Sequence, residues 1–353
     1  MSVLKNEILV RVLNHLPVDR IPVWIMRQAG RTDPEYCQLR KNDGRPLEKL
    51  FLDPETAIKI SLLPKRLGVD AIIMFQDILT PLTPMGAGFH FDPGPVLEIP
   101  VRTFSQVKAL RAVDPEIHLQ PVAQILKGLN AELKGELPVL GFAGSPMTLA
   151  FFLIAGKSPN RKIEEVLAFV EEQPAITEAL LNLLTEMTVD YLNYQIASGA
   201  DAVQLFESFA EVIPLEIYKK FVQPTQEKIF STLIPTTPSI LFTKESPHLD
   251  LMLQSGASVL SVGNCIDLAQ AKKRDPKMIF QGNVDNQILA DGTKEEITQA
   301  VRKCFEQSGR KNHILNLNHG LLERTPFENV QHFVDVAKEL GRVEGNSLVR
   351  TIQ

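Results

Sequence analysis

The chain has 353 residues, of which 44% are hydrophobic and 22% are charged, and its formal net charge is −5. This length fits one large α/β barrel or two smaller domains, and the hydrophobic content is ample for a buried core. The negative net charge argues against a nucleic-acid-binding protein, and no apolar stretch approaches the roughly 20 residues that span a bilayer. The N-terminal segment lacks the apolar core of a secretion signal. We therefore expect a cytoplasmic protein without a nucleic-acid or membrane partner.

Eight short apolar runs have the length and composition of buried parallel strands. They cover residues 23–26, 71–75, 138–142, 202–206, 239–242, 258–262, 278–280 and 313–317. Segments with helical periodicity separate them, at residues 54–67, 175–196, 215–232, 248–254, 267–273, 294–307 and 327–340. This alternation predicts a single (β/α)8 TIM barrel domain over residues 1–353, with its active-site cleft at the C-terminal ends of the strands.

The segment between Asp77 and Pro138 departs from this alternation. It is rich in proline and glycine up to Pro100, and helical periodicity returns over residues 122–133. We expect a loop-rich excursion followed by one helix, placed where it can cover a cleft.

The first predicted strand ends in an arginine motif, PVWIMRQAGR, at residues 22–31. Arg27 and Arg31 lie four positions apart, with Gly30 between them to let backbone approach closely. Two guanidinium groups so placed are suited to bidentate binding of a carboxylate or phosphate. The plainer alternative is a solvated arginine pair in a surface turn.

In a barrel of this type, the residues that follow each strand form the active site. Besides the two arginines, these residues include Asp77, Glu207–Ser208, Thr243–Lys244, Gly263–Asn264, residues 281–285 and residues 316–320 with His319. Taken singly, each has a structural explanation: Asp77 as a helix cap, His319 as a buried structural histidine, and the small polar residues as turn formers. Their arrival at one mouth, without cysteine ligands or an HExxH motif, favours metal-free chemistry on an anion.

The three cysteines, Cys37, Cys265 and Cys304, are far apart and fit no CxxC spacing. An odd number of isolated cysteines favours free thiols over a disulfide framework or a zinc knuckle.

Six motifs resemble the uroporphyrinogen decarboxylase family in their order and spacing. They are PVWIMRQAGR, FQDILTPLTPMG, GFAGSPMTLA, DAVQLFES, QGNVD and NLNHGLLERTPFENV. The resemblance covers about residues 5–340. It implies a (β/α)8 homodimer, without metal or other cofactor, that removes CO2 from the four acetate side chains of uroporphyrinogen III to give coproporphyrinogen III.

The resemblance also implies roles for individual residues. Arg27, Arg31 and His319 would meet the carboxylates of the macrocycle at the rim, and Asp77 would accept hydrogen bonds from its pyrrole N–H groups. These four residues are the expected catalytic set, with Arg27 or a bound water as the proton donor. The expected substrate contacts are Arg27, Gln28, Ala29, Gly30, Arg31, Asp77, Phe152, Ser208 and His319.

The chain departs from the family pattern at several positions. Phe152 stands where a tyrosine is usual, and the glycine-rich stretch that normally follows is reduced to residues 156–159. Thr32 replaces a tyrosine after the second arginine, and Asn318 replaces the glycine before His319.

Two other functions compete with the decarboxylase. One is a related zinc- and corrinoid-linked methyltransferase, which requires a His-x-Cys pair and a later cysteine, and His319 is followed by Gly320 and Leu321 instead. The other is a non-catalytic tetrapyrrole-binding paralogue, which Phe152 makes conceivable.

Overall fold

The computed structural model describes residues 4–343. A curled parallel sheet of seven strands occupies the centre, in the order β1-β4-β5-β6-β7-β8-β9, and β2 and β3 form a separate antiparallel hairpin. The strands are β1 (Ile72–Ile73), β2 (Phe89–Asp92), β3 (Gly94–Leu97), β4 (Val139–Gly144), β5 (Ala202–Glu207), β6 (Ser239–Thr243), β7 (Val259–Ser261), β8 (Ile279–Gln281) and β9 (His313–Ile314).

Helices surround the sheet and connect its strands. They are α1 (Ile8–Leu13), α2 (Pro34–Asp43), α3 (Leu47–Leu50), α4 (Pro54–Leu62), α5 (Phe104–Ala109), α6 (Pro115–His118), α7 (Gln120–Leu133), α8 (Pro146–Ala155), α9 (Ile163–Glu172), α10 (Pro174–Ala197), α11 (Leu215–Ile217), α12 (Gln223–Thr232), α13 (Leu249–Leu253), α14 (Leu268–Arg274), α15 (Asn286–Asp291), α16 (Lys294–Ser308) and α17 (Phe327–Leu340). The predicted alternation of strands and helices is thus confirmed for seven of the eight expected strands.

The first predicted strand, residues 23–26, is not a strand; this expectation was wrong. Pro22 has no N–H group to donate, and the amide of Val23 donates to the Asp70 carboxylate at 2.8 Å. The amides of Ile25 and Met26 likewise donate to side chains. Only an isolated parallel bridge to Leu315 remains.

The same segment still makes backbone hydrogen bonds to both edges of the sheet. Pro22 O accepts from Leu315 N at 2.9 Å, and Val23 O accepts from Asp70 N at 2.7 Å. Residue 70 precedes β1 and residue 315 follows β9. The two edges of the curled sheet therefore both reach this segment.

Several helices differ from the predicted bounds. The helix expected over 54–67 is α4 followed by a 3-10 turn at Leu63–Leu67, and the one expected over 215–232 is divided by a π-helical turn at Tyr218–Val222. Helix α8 was not predicted. All ten of its residues are buried, so its sequence has no polar face and lacks the amphipathic periodicity on which the prediction depended.

The excursion after Asp77 contains the expected helix, which is α7, together with the β2–β3 hairpin. Leu97 N of the hairpin donates to Gly156 O at 2.9 Å, and Ser158 N donates back to Pro95 O at 3.2 Å. The hairpin is therefore held by the short loop that follows α8.

Side chains from several strands meet inside the curled sheet. Trp24, Leu140, Ile240, Phe242 and Ile279 belong to one buried apolar cluster, which α1 also contacts. No helix within residues 4–343 combines the length and apolarity required to cross a bilayer.

Within this interior lies a group of four buried polar side chains, Trp24, Gln204, Ser261 and Gln281, which we call the polar layer. Trp24 Nε1 donates to Gln281 Oε1, and Gln281 Nε2 donates to Gln204 Oε1 and to Ser261 Oγ, each at 2.9 Å. Both ends of the Gln281 amide are therefore satisfied.

Candidate active site

Arg27 follows Met26 in a tight turn and has left-handed backbone, with φ of 64°. The turn is fixed by Gln28, whose side chain is 1% exposed. Its Oε1 accepts from Ile25 N at 3.0 Å and its Nε2 donates to Ala71 O at 2.9 Å. The Gln28 side chain is therefore committed to the backbone, which leaves only its backbone available for the expected contact with substrate. It supports the turn that carries Arg27.

The Arg27 side chain lies against the backbone of Gly320. A Cβ atom at position 320 would lie 2.4 Å from Arg27 Cδ, so any larger residue there would displace the Arg27 side chain. The guanidinium has no hydrogen bond or ion pair within residues 4–343. Although part of the side chain is open to solvent, surrounding protein desolvates it and, with Arg31, lowers its pKa, while Asp77 opposes this effect.

Asp77 lies in the loop between β1 and a 3-10 turn at Thr80–Leu82. Its Oδ1 accepts from Leu79 N at 2.8 Å, a local turn contact; the N-cap of the 3-10 turn is Leu79, so Asp77 is not its helix cap. Its Oδ2 accepts no hydrogen bond from residues 4–343. Desolvation raises the pKa of Asp77 to about 6, against the lowering effects of Leu79 N–H and of Arg27. Asp77 is therefore ionised near neutral pH but poorly solvated.

Arg31 lies on the outer rim and forms an ion pair with Glu323, with 2.8 Å between Nη1 and Oε2. The two side chains are 67% and 64% exposed, so the pair contributes little to stability. Ala29 and Gly30, between the arginines, are partly buried. A Cβ atom on Gly30 would lie 3.2 Å from Arg27 O, in line with the close approach expected at this glycine.

His319 lies near both Arg27 and Lys244. Desolvation, then the charges of Arg27 and Lys244, lower the pKa of His319 to about 3. His319 is therefore neutral at physiological pH. This corrects the expectation of a third rim cation, because a neutral imidazole offers one hydrogen-bond donor and one acceptor but no charge.

Phe152 and Ser208 come from two neighbouring elements, α8 and the end of β5. The Phe152 ring is 8% exposed, and its centroid lies 5.6 Å from that of Phe209 in an edge-on arrangement. Ser208 is partly exposed, and its N–H donates to Thr148 Oγ1 of α8 at 2.8 Å. The first turn of α8 is therefore tied to the residue that follows β5.

Glu207, the last residue of β5, is among the residues at the predicted strand ends but was given no catalytic or substrate-binding role from the sequence. It is fully buried, and its Oε1 accepts from Thr148 Oγ1 at 2.5 Å. Its Oε2 has no partner of standard geometry, although Ser145 lies close enough to affect its titration. Desolvation raises the pKa of Glu207 to about 7. The sequence feature that could have identified Glu207 is an acidic residue at the end of a largely apolar strand.

A chain of rings also escaped the sequence analysis. The ring centroid of Phe206 lies 5.6 Å from that of Phe142 and 5.3 Å from that of Phe242, which in turn lies 5.9 Å from His319. Phe206 and Phe242 are direct partners in the β5–β6 register. Phenylalanines near the ends of three consecutive strands were the signal for this apolar wall beside His319.

The thiols and acidic groups show no metal-binding arrangement in the part of the chain that the structure describes. No group of three or more His, Cys, Asp or Glu side chains there could hold a metal ion. All three cysteines are free, as expected: Cys37 and Cys265 are exposed and Cys304 is buried.

Comparison with known proteins assigns the chain to a family. The sequence model described as uroporphyrinogen decarboxylase (URO-D) matches residues 4–340. The chain belongs to the uroporphyrinogen decarboxylase family. A protein of that name from Geobacter metallireducens is 39% identical over 331 residues, covering 92% of this chain and 96% of the relative. Another, from Crocosphaera subtropica, is 40% identical over 336 residues, covering 92% and 94%.

A solved structure also resembles the uroporphyrinogen decarboxylase fold of this chain. It is a methyltransferase from Methanosarcina mazei, with a TM-score of 0.76 and 20% identity, covering 96% of this chain and 99% of that one. At this identity the likeness concerns the fold alone.

Proposed function

We propose that this protein is a carboxy-lyase that decarboxylates the four acetate side chains of uroporphyrinogen III to methyl groups, giving coproporphyrinogen III. Family membership supports this reaction. The structural observation that carries the proposal is two oppositely charged groups, close enough to affect each other's pKa, where the strands end, a region that we call the mouth. Arg27 has no ion pair and Asp77 Oδ2 accepts no hydrogen bond within residues 4–343. Opposite charges left open in one region are suited to a ligand that carries both donors and carboxylates.

The substrate has this character, because it is a flexible macrocycle with carboxylates around its edge and four pyrrole N–H groups at its centre. Asp77 accepts from the N–H groups, while Arg27 and Arg31 bind carboxylates. Neutral His319 contributes a hydrogen bond, and Ser208 and the ring of Phe152 contact the macrocycle. The backbone of Gln28, Ala29 and Gly30 completes the arginine turn.

The chemistry requires a positive charge to form inside the mouth. Protonation of a pyrrole ring carbon makes the ring an electron sink, the acetate C–C bond breaks with release of CO2, and a second proton converts the resulting carbon centre to a methyl group. The first proton returns to solvent when the pyrrole is restored, so each acetate consumes one proton in total. Asp77, ionised and poorly solvated, stabilises the cationic intermediate more strongly than a solvated carboxylate does.

The proton comes from Arg27 or from a water that Arg27 orients. Burial and Arg31 both lower the pKa of Arg27, which makes its guanidinium a stronger acid than an exposed one. A guanidinium is a costly proton donor even so, and both routes place the donor at this side chain. No cofactor takes part in this scheme.

We further propose that residues 22–26, although not a regular strand, take the place of the eighth strand and close a (β/α)8 barrel that forms one domain over residues 1–353. Their hydrogen bonds to Asp70 and Leu315, at the two sheet edges, support this closure. From the family resemblance we also propose that the protein is cytoplasmic and that it forms a homodimer. Sedimentation equilibrium measures the molar mass in solution and tests the dimer directly.

The test of the reaction is anaerobic incubation of the chelator-treated, dialysed protein with uroporphyrinogen III, followed by oxidation and separation of the porphyrins by carboxylate number. We expect products with seven, six, five and four carboxylates. Binding without any loss of carboxylate would instead indicate a tetrapyrrole-binding paralogue. Activity that depends on stoichiometric zinc would favour the methyltransferase alternative.

A further inference from the structure

Lys244 follows the last residue of β6 and extends that strand into the mouth. Ile240 and Phe242, four and two residues earlier, belong to the buried cluster inside the sheet. The hydrogen-bond ladder continues past the strand, because Lys244 N donates to Glu207 O at 3.0 Å. Since strand side chains alternate between faces, Lys244 lies on the same inward face as Phe242.

The position of Lys244 is next to His319. The ring of Phe242 lies 5.9 Å from that of His319, and the charge of Lys244 contributes to lowering the pKa of His319. The positive charge on this side of the mouth therefore belongs to Lys244 and not to the histidine. A substrate with carboxylates around its whole edge requires a cation on this side as well as at Arg27 and Arg31.

The ammonium group of Lys244 already forms an ion pair in this structure. Its Nζ lies 2.6 Å from Glu211 Oε1, and the two side chains are 30% and 31% exposed. Glu211 belongs to the 3-10 turn Ala210–Val212, shortly after Ser208. Arg31 has the same arrangement with Glu323. Lys244, on the inward face, and Arg31, at the rim, are thus each paired with an acidic side chain that a substrate carboxylate can replace. Arg27 has no such partner within residues 4–343.

We propose that Lys244 is a third substrate-binding cation. In the absence of substrate its ammonium group is paired with Glu211, and a carboxylate of the substrate replaces Glu211 on binding. This inference rests on the proposed decarboxylase function. The carboxylate of Glu211 competes with the substrate for the same ammonium group, so the two members of the pair have opposite effects on substrate affinity. An ion pair that only stabilises the fold has no such asymmetry.

The decisive measurement compares Lys244→Met, Lys244→Arg and Glu211→Gln with the parent protein, using KM and kcat for uroporphyrinogen III. We expect Lys244→Met to raise KM about tenfold, as for loss of one charged hydrogen bond, with kcat changed by less than about threefold. Lys244→Arg should retain most of the affinity. Glu211→Gln should lower KM about threefold, because the substrate no longer displaces a charged competitor.

A double variant and a surface pair serve as controls. In the Lys244→Met background, Glu211→Gln should no longer change KM, since its effect acts through the lysine. The more exposed pair Arg274 and Asp250, at 2.9 Å, is an ion pair that involves neither Lys244 nor Glu211, and Asp250→Asn should leave KM unchanged. Thermal unfolding of each variant checks that the fold is retained.

Two outcomes would overturn the inference: KM unaffected by Lys244→Met, or KM raised alike by Lys244→Met and Glu211→Gln. Titration of uroporphyrin, followed by its own fluorescence, separates this failure from failure of the proposed function. An inert parent protein that binds uroporphyrin and loses affinity with Lys244→Met would refute the decarboxylase but keep the carboxylate contact. An active parent protein whose KM is unchanged by the Lys244 and Glu211 variants would support the decarboxylase and refute the proposed role of Lys244.

Discussion

Two polar regions of the molecule, the polar layer and the mouth, are built in opposite ways. In the polar layer, both ends of the Gln281 amide are satisfied by side chains from other parts of the chain. At the mouth, the Arg27 guanidinium has no partner within residues 4–343, and one oxygen of Asp77 accepts no hydrogen bond from them. The fold thus satisfies the Gln281 amide inside the sheet and leaves charged groups unpaired where the strands end.

The difference separates stability from function. A buried polar group whose partners are supplied by the fold stabilises that fold, and removing it leaves the partners unpaired. A charged group left without partners destabilises the folded protein and is retained where a ligand completes it. Substitutions in the polar layer should therefore lower the free energy of unfolding, whereas substitutions at the mouth should lower turnover.

The largest effect is expected at Asp77. Asp77→Ala should reduce kcat about 10²- to 10³-fold, because the cationic intermediate loses its acceptor. The free energy of unfolding should fall by no more than about 1 kcal/mol, the size of the lost hydrogen bond to Leu79 N, because removing a desolvated carboxylate offsets that loss. Anaerobic turnover and urea unfolding measure the two quantities. Asp77→Glu should keep some activity, and exposed Asp335→Ala serves as control. Turnover of Asp77→Ala at half the parent rate would exclude the role.

Glu207 gives the next largest effect, on the pH dependence of stability. Its pKa is raised from 4.5 to about 7 in the folded protein, so between these values the folded state holds a proton that the unfolded state releases. The contribution of Glu207 to stability should therefore fall as pH rises through this window, by about 3 kcal/mol. Asp77 and His319 titrate in the same range, so the measurement is the difference between parent and Glu207→Gln in how the free energy of unfolding changes from pH 5 to pH 8, followed by urea unfolding. Equal slopes in both proteins would assign the titration to another group.

In the polar layer, Gln281→Leu should lower the free energy of unfolding by about 2–3 kcal/mol, because Trp24 Nε1 and Gln204 Oε1 lose their partner. Turnover per folded molecule should stay within about threefold of the parent. Gln299→Leu, on the exposed face of α16, is the matched control and should change little. A loss of turnover at full stability would mean that the polar layer belongs functionally to the mouth.

The smallest effect is expected at Phe152, which packs edge-on against Phe209. Phe152→Tyr restores one hydroxyl and should change kcat/KM by less than about thirtyfold, corresponding to roughly 2 kcal/mol. Phe152→Ala should do more harm, because it leaves a void beside the mouth. If the parent were inert and Phe152→Tyr active, the chain would be a tetrapyrrole-binding paralogue.

The sequence predicted the strands best where apolar runs are continuous. β5 and β6 agree with residues 202–206 and 239–242 to within one residue at each end. Residues 23–26 are equally apolar but fail as a strand, because side chains of Asp70, Gln28 and Asn316 take their amides. Asp70 and Asn316 are distant in sequence from this segment, so no local pattern reveals them.

The candidate site was predictable to a similar degree. Arg27, Asp77 and His319 follow from their places after predicted strands. The neutrality of His319 and the pairing of Lys244 with Glu211, 33 residues away, depend on neighbours that only the folded chain brings together. The position of a residue after a strand can be inferred from the sequence, whereas its charge state and its hydrogen-bond or ion-pair partner can be read only from the folded structure.

The backbone of Arg27 has a consequence for engineering this protein. A left-handed φ of 64° costs a residue with a side chain about 1–2 kcal/mol relative to glycine. A library screened only for heat resistance should therefore accumulate glycine at position 27. Such clones would be more durable than the parent and would lack the group on which turnover depends, so any thermostabilisation of this protein requires selection for activity in parallel.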